Sequence, residues 1–196
     1  MNAVSQQKSL VFVTGNDEKI RDANYILNDY AIEVEAIALS IHEIQSRDHN
    51  AIIEAKVKAA FRSIKRPLIV SDASWSIPAL GGFPGPYMKD IAQWFSVENW
   101  LDVMRSQHDR SAILSETIAY YDGLVSAMFS SDRSGEFSHR PAGNRGTAFD
   151  KLIMMEGDQM TVAQVFDLTD RSSIAKERLS HYIQFAEWYN SQTQGT

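Results

Sequence analysis

The chain has 196 residues, a formal net charge of −6 and no cysteine. Its length suits one domain with a sizeable core, and the missing thiols exclude disulfides, thiolate zinc sites and thiol nucleophiles. The acidic balance argues against a nucleic-acid polymer as partner, although a mononucleotide needs only a few local lysines and a cation.

Residues 1–8 and 191–196 are polar and are expected to fray. Leu10 to Thr14 form a continuous apolar run that ends at Gly15-Asn16, the pattern of a buried strand entering a loop. Helical spacing begins at Asp17, with Ile20, Ala23 and Leu27 on one face and Asn16 or Asp17 as N-cap. Ile32, Val34 and Ala36 alternate with glutamates and predict a half-exposed strand. Ile53, Val57, Ala60, Phe61 and Ile64 recur at helical spacing, and Pro67 stops that helix.

Leu68 to Asp72 is the next buried strand. Gly81-Gly82-Phe83-Pro84-Gly85-Pro86 follows, a stiff turn that permits close backbone approach. One or two helices are expected over residues 91–104. Strands over 112–121 and 124–130 flank Asp122-Gly123, a favoured two-residue hairpin turn. Short strands are expected near 135–138, 151–155 and 161–166, and a last helix from about Ile174. This order predicts an α/β fold with a mixed central sheet, two lobes and a cleft between them. All 196 residues are expected as a single domain. No run of about 18 apolar residues and no signal-peptide pattern occurs, so the expectation is a cytoplasmic protein without membrane contact.

Several residues invite chemistry. Thr14, Asn16 and Lys19 lie where a strand meets a helix N-terminus, which favours anions; the plainer reading is a turn with an exposed lysine. Asp72, at the end of an apolar strand, could hold a cation or orient a water, or simply cap the next turn. Glu43 could supply an oxygen to Mg²⁺ or be a solvated loop residue, and Lys56 reads as a surface lysine. Phe149-Asp150 follows a Gly-rich stretch and could hold a base, or form a turn. Lys176 and Ser180 are four residues apart and share a helical face, so Lys176 could face a phosphate. His181 could donate to a base carbonyl or be a half-buried helix histidine. There is no Walker loop, no Gly-x-Ser-x-Gly elbow and no zinc helix, and no basic cluster carries interleaved aromatics for RNA.

The order of these motifs carries more than any one of them. Val11 to Asn16 with Lys19, Glu43-Ile44-Gln45, Lys56, Ser71-Asp72 and Ala79 to Lys89 resemble the inosine triphosphate pyrophosphatase family, the Ham1-like non-canonical purine NTP pyrophosphatases. Arg110-Ser111-Ala112, Ala119 to Gly123, Phe149-Asp150, Thr161-x-Ala163 and Lys176-x-x-x-Ser180-His181 extend the resemblance over about residues 9–182. It implies hydrolysis of ITP, dITP or XTP to the monophosphate and pyrophosphate with Mg²⁺, by a homodimer. Carried over by position, Asp72 would be the catalytic carboxylate and Glu43 and Asp72 the metal ligands. Thr14, Asn16, Lys19, Lys56, Lys89, Phe149, Asp150, Lys176, Ser180 and His181 would bind substrate.

The chain departs from that pattern at four places. Ser71 and Ala51 replace acidic residues. Thr147 replaces an aromatic that would stack on the base. Tyr182 replaces an arginine of the last motif and lacks its fork of donors. Two other readings follow: the same reaction on a different atypical nucleotide, or a catalytically weak nucleotide-binding protein.

Overall fold

Leu10, Val11, Phe12 and Val13 are all buried, as a run of four apolar residues on a central strand demands. They form β1 (Ser9–Val13) in a computed structural model that describes residues 9–168 and 176–194. The Asn16 side chain accepts from the amides of Glu18 and Lys19 and starts α1 (Asp17–Leu27). A 3₁₀ turn over Asn28–Tyr30 leads to β2 (Glu33–Ile37), half-exposed as its alternation with glutamates predicts. Helix α2 (His49–Ile64) begins a full turn before its apolar periodicity, because Asp48 accepts from the amides of Asn50 and Ala51.

Strand β3 (Leu68–Ile77) is ten residues long and runs past the expected end at Asp72. Its extension exists because β4 (Phe83–Gly85) folds back on it, pairing Trp75 with Gly85 and Ile77 with Phe83. The Gly/Pro turn makes this return possible: Gly81, Gly82 and Gly85 all take positive φ, at 64°, 90° and 59°. Asp72 therefore sits mid-strand and caps nothing. Helices α3 (Met88–Trp94) and α4 (Val97–Val103) follow, the second opened by a reciprocal Ser96–Asn99 capping box.

Strand β5 (Ser111–Tyr121) and strand β6 (Ser126–Phe137) are joined by a longer turn than Asp122-Gly123 alone. The Asp122 carboxylate accepts from the amides of Leu124 at 2.8 Å and Val125 at 2.7 Å, which keeps those residues out of the strand. The two strands expected at 124–130 and 135–138 are one continuous β6. Gly135 interrupts nothing, since it is where β7 (Ile153–Met155) approaches: a Cβ there would stand 2.8 Å from the Met154 carbonyl oxygen.

The strand expected at 161–166 is instead helix α5 (Val162–Leu168), with Thr161 keeping only an isolated bridge to Met154. Thr161 and Gln164 explain the difference. The Gln164 amide approaches Thr161 Oγ1 at 3.3 Å, and the Thr161 amide donates to Gln164 Oε1 at 3.0 Å. This is a capping box, and it overrides the β-branched composition. Near the C-terminus a 3₁₀ turn (Lys176–Leu179) precedes α6 (Ser180–Gln194). Lys176 thus lies outside α6, and the shared α-helical face with Ser180 does not form. Residues 191–194 stay helical rather than frayed; residues 1–8, 174–175 and 195–196, also given expectations above, lie outside the described residues.

The strands order β2-β1-β3-β5-β6-β7, with β4 on β3. Parallel β1–β2 and β1–β3 pairs join antiparallel β3–β4 and β6–β7 pairs, the mixed sheet expected from the element order. The chain divides into two compact units. The first comprises Met1–Asp72, Glu116–Ser131 and Leu179–Thr196. Its core joins Val11, Val13, Ile53, Val57, Leu68 and Val70. The second comprises Ala73–Ser115 and Asp132–Arg178. Its core is aromatic, with Trp100 in contact with Phe83, Phe95, Phe137 and Phe149 at centroid distances of 4.8–6.0 Å. No helix among the described residues is long and apolar enough to cross a membrane.

Candidate active site

The first unit gathers most of the singled-out polar residues. Thr14 follows β1, its amide donating to the Ile37 carbonyl, and its hydroxyl accepts from the Asn16 amide at 3.1 Å. Asn16 holds the start of α1, which sets Lys19 on the first turn. From there the Lys19 ammonium donates to the Ser71 carbonyl oxygen at 2.9 Å and stands 3.8 Å from Asp72 Oδ1. Burial and the Lys56 charge lower the Lys19 pKa; the carboxylates of Asp72, Glu116 and Glu43 oppose them. On α2, the Lys56 ammonium meets Glu43 Oε1 at 2.8 Å. Two lysine–carboxylate pairs therefore lie within electrostatic reach of one another. Lys56 is mostly buried rather than the surface lysine expected of it.

Helix α6 brings Ser180, His181 and Tyr182 into the same unit. His181 is only 3% exposed and its Nδ1 lies 3.0 Å from Ser131 Oγ, a partner that no sequence pattern announces. Burial raises the Tyr182 phenol above its ordinary range, and the neighbouring Ser71 hydroxyl opposes this. Ser71 Oγ is buried there and meets no partner at full hydrogen-bond geometry among the described residues.

The second unit holds Lys89, Phe149, Asp150 and Lys176. Lys89 is exposed on α3, and its carbonyl accepts from Gln93. Phe149 departs from expectation. It is fully buried, with Trp75 at 5.0 Å, Trp100 at 5.0 Å and Phe137 at 5.2 Å, so the ring belongs to the aromatic core and is not presented at a surface. Asp150 closes its own turn: Oδ2 accepts from the Thr147 amide at 2.7 Å and hydroxyl at 2.8 Å. Lys176 is half-buried on its 3₁₀ turn.

The family model described as Ham1 family matches residues 10–182. The chain belongs to the Ham1 family. A dITP/XTP pyrophosphatase of Methanopyrus kandleri is 30% identical over 187 residues, covering 95% of this chain and 98% of that protein. A second protein of that name, from Saccharolobus solfataricus, is 30% identical and covers 93% of this chain and 94% of its own. Among solved structures, the Ham1 protein of Staphylococcus aureus superposes with a TM-score of 0.75 at 20% identity, covering 94% of this chain and all of that one. That of Coxiella burnetii gives 0.72 at 20% identity, with 96% and 99% covered. These two show the shared fold.

Two ionisable groups of this Ham1 site escape a sequence reading. Glu116 interrupts the apolar face of β5 between Leu114 and Ile118, and its charge reaches Lys19 and Tyr182. A glutamate inside a buried strand was the available signal. His49 opens α2, and neither of its ring nitrogens has a hydrogen-bond partner among the described residues. Burial lowers its pKa; Asp72 and Asp48 oppose, while Lys19 and Lys56 add to the lowering.

Among the described residues no three His, Asp or Glu side chains converge to hold a metal ion by themselves. The donor chemistry nonetheless suits Mg²⁺, a hard ion that uses one or two carboxylates and completes its shell with waters and substrate phosphates. Glu43 and Asp72 are the two carboxylates, and each already faces an ammonium group.

Proposed function

We propose that this chain hydrolyses non-canonical purine nucleoside triphosphates, of the dITP and XTP class, to the monophosphate and pyrophosphate. The observation that carries the reading is the pairing of Lys19 with Asp72, and of Lys56 with Glu43, in one electrostatic cluster of a Ham1-family fold. The relatives of Methanopyrus kandleri and Saccharolobus solfataricus, named for dITP and XTP, supply the substrate class.

The roles follow from charge and reach. Attack on a phosphoryl group needs positioned cations and an oriented water more than covalent chemistry. Lys19 and Lys56 offset the polyphosphate, with Thr14 and Asn16 shaping the loop that receives it. At 3.8 Å the Lys19 ammonium is too far to engage Asp72 in a full hydrogen bond, so the carboxylate keeps acceptor capacity for a water. Asp72 orients that water and takes its proton as oxygen attacks phosphorus and pyrophosphate leaves. Glu43 and Asp72 would hold Mg²⁺, which supplies charge neutralisation on the phosphate oxygens. Ser180 and His181, the latter steadied by Ser131, are assigned to the base end. The protein is proposed to act in the cytoplasm as a homodimer.

A pyrophosphate-release screen over dITP, XTP, ITP and the ordinary nucleotides with Mg²⁺ tests this. Turnover of dITP or XTP in preference to dATP or dGTP is expected; preference for an ordinary or pyrimidine nucleotide would reject the substrate class. Ser71 and Ala51 favour a second reading, a weakly catalytic nucleotide binder, because they deplete the acidic donors. Calorimetric binding of dITP without turnover would select it.

A further inference from the structure

His49 is a polar group of the first unit to which the proposed reaction gives no role. Its place is set by helix geometry. Ile52 and Ile53 are buried one turn along α2, and Lys56 lies two turns along, so His49, Ile52, Ile53 and Lys56 form one inward stripe. The stripe carries His49 into the same charged surroundings as Lys56. The charges acting on it are Asp72 from β3, Lys19 from α1, Lys56 from its own helix and Asp48 from the preceding N-cap.

Both ring nitrogens are shut off from solvent, and neither meets a hydrogen-bond partner among the described residues. A buried donor or acceptor left unmade costs on the order of 1–3 kcal/mol. The two ammonium groups cannot satisfy the ring's N–H, because lysine only donates, and both already turn to oxygens, Lys19 to the Ser71 carbonyl and Lys56 to Glu43. A neutral imidazole always retains one N–H donor. Magnesium, which prefers oxygen, is a poor match for the ring. Phosphate oxygens, acceptors only and drawn to the two lysines, are a good one.

We propose that His49 is a substrate-binding residue that donates a ring N–H to a polyphosphate oxygen of the bound nucleotide. The inference rests on the pyrophosphatase reading and adds a contact to it. It also offers a reason why the chain tolerates Ala51 in place of a carboxylate: one helical face supplies a lysine and a histidine to the same anion.

The test uses the full chain and inorganic tripolyphosphate. Titration of the wild-type protein should shift the His49 ring nitrogen resonances, and by more than Mg²⁺ alone does. His49→Ala should weaken tripolyphosphate binding about tenfold or more, with the folded-state circular dichroism retained. His49→Gln, which keeps a donor, should recover part of the loss. A ring signal unmoved by tripolyphosphate, or moved as far by Mg²⁺ alone, overturns the proposal without a variant being made. So does wild-type affinity in His49→Ala, and in that case dITP turnover by the wild type leaves the parent reading intact. A wild-type protein that neither binds tripolyphosphate nor hydrolyses dITP removes both.

Discussion

Lys19 reaches 52 residues along the chain to donate to the Ser71 carbonyl oxygen at 2.9 Å, and this holds its ammonium 3.8 Å from Asp72 Oδ1. The backbone contact fixes the cation, so the carboxylate is biased by a nearby charge without being consumed by it. The chemistry proposed for the site depends on that spacing.

The first prediction concerns pH. Burial, the largest influence, lowers the Lys19 pKa below its ordinary 10.5. A polyphosphate binds the protonated form. Affinity is therefore full below the depressed folded pKa and falls as pH rises through it, earlier than for an exposed lysine. Lys19→Arg keeps its charge throughout this range. Tripolyphosphate affinity measured from neutrality to about pH 10.5 should show an alkaline decline in the wild type that is absent from the variant. Parallel profiles would reject the assignment.

Glu43 gives a second prediction. Glu43→Gln removes a hard-oxygen charge and leaves Lys56 without its 2.8 Å partner. The Mg²⁺ concentration giving half-maximal turnover should rise by about tenfold, a cost of roughly 1.4 kcal/mol. An unchanged Mg²⁺ dependence would remove Glu43 from the donor set.

Phe149 should reveal itself in stability. Fully buried between Trp75, Trp100 and Phe137, it should cost about 3–5 kcal/mol when replaced by alanine. Denaturant unfolding reads this directly. A small change in stability with a large change in base preference would return Phe149 to the base pocket.

The hairpin turn supplies the fourth. Burial, the largest influence on Asp122, would raise its pKa. The amides of Val125 and Leu124 and the Tyr120 hydroxyl outweigh it, and the net shift is below the ordinary 3.8. The contribution is thus complete above 3.8 and is lost as pH falls through the lower folded value. Asp122→Ala should lower stability by about 1–2 kcal/mol near neutrality. That difference should shrink below pH 3.8. A gap independent of acid would contradict the turn's electrostatics.

The sheet class, the two central helices and the N-cap at Asn16 were legible because each rests on local periodicity or a short-range cap. Two differences have separate causes. Val162 to Phe166 look like a strand by composition, and a capping pair three residues apart decided otherwise; that Thr-x-x-Gln spacing was visible and outweighs β-branching. Asp72 looks like the end of a strand because β3 turns polar there, while the pairing that prolongs it comes from β4 after the turn. In the site, motif order pointed to Lys19, Asp72, Lys56 and Glu43. The Ser131 contact to His181 and the placement of Glu116 and His49 depend on elements far apart in sequence, which no local pattern encodes. Phe149 was a motif residue whose neighbours, Trp75 and Trp100, gave no local hint of enclosing it.

The most direct measurement follows dITP by phosphorus NMR in the presence of Mg²⁺, with wild-type protein and Asp72→Asn side by side. The wild type should give dIMP and pyrophosphate, and the variant, which keeps the shape but cannot take the water's proton, should lose turnover by at least about a hundredfold. Release of orthophosphate with dIDP, or undiminished pyrophosphate release by Asp72→Asn, would contradict it.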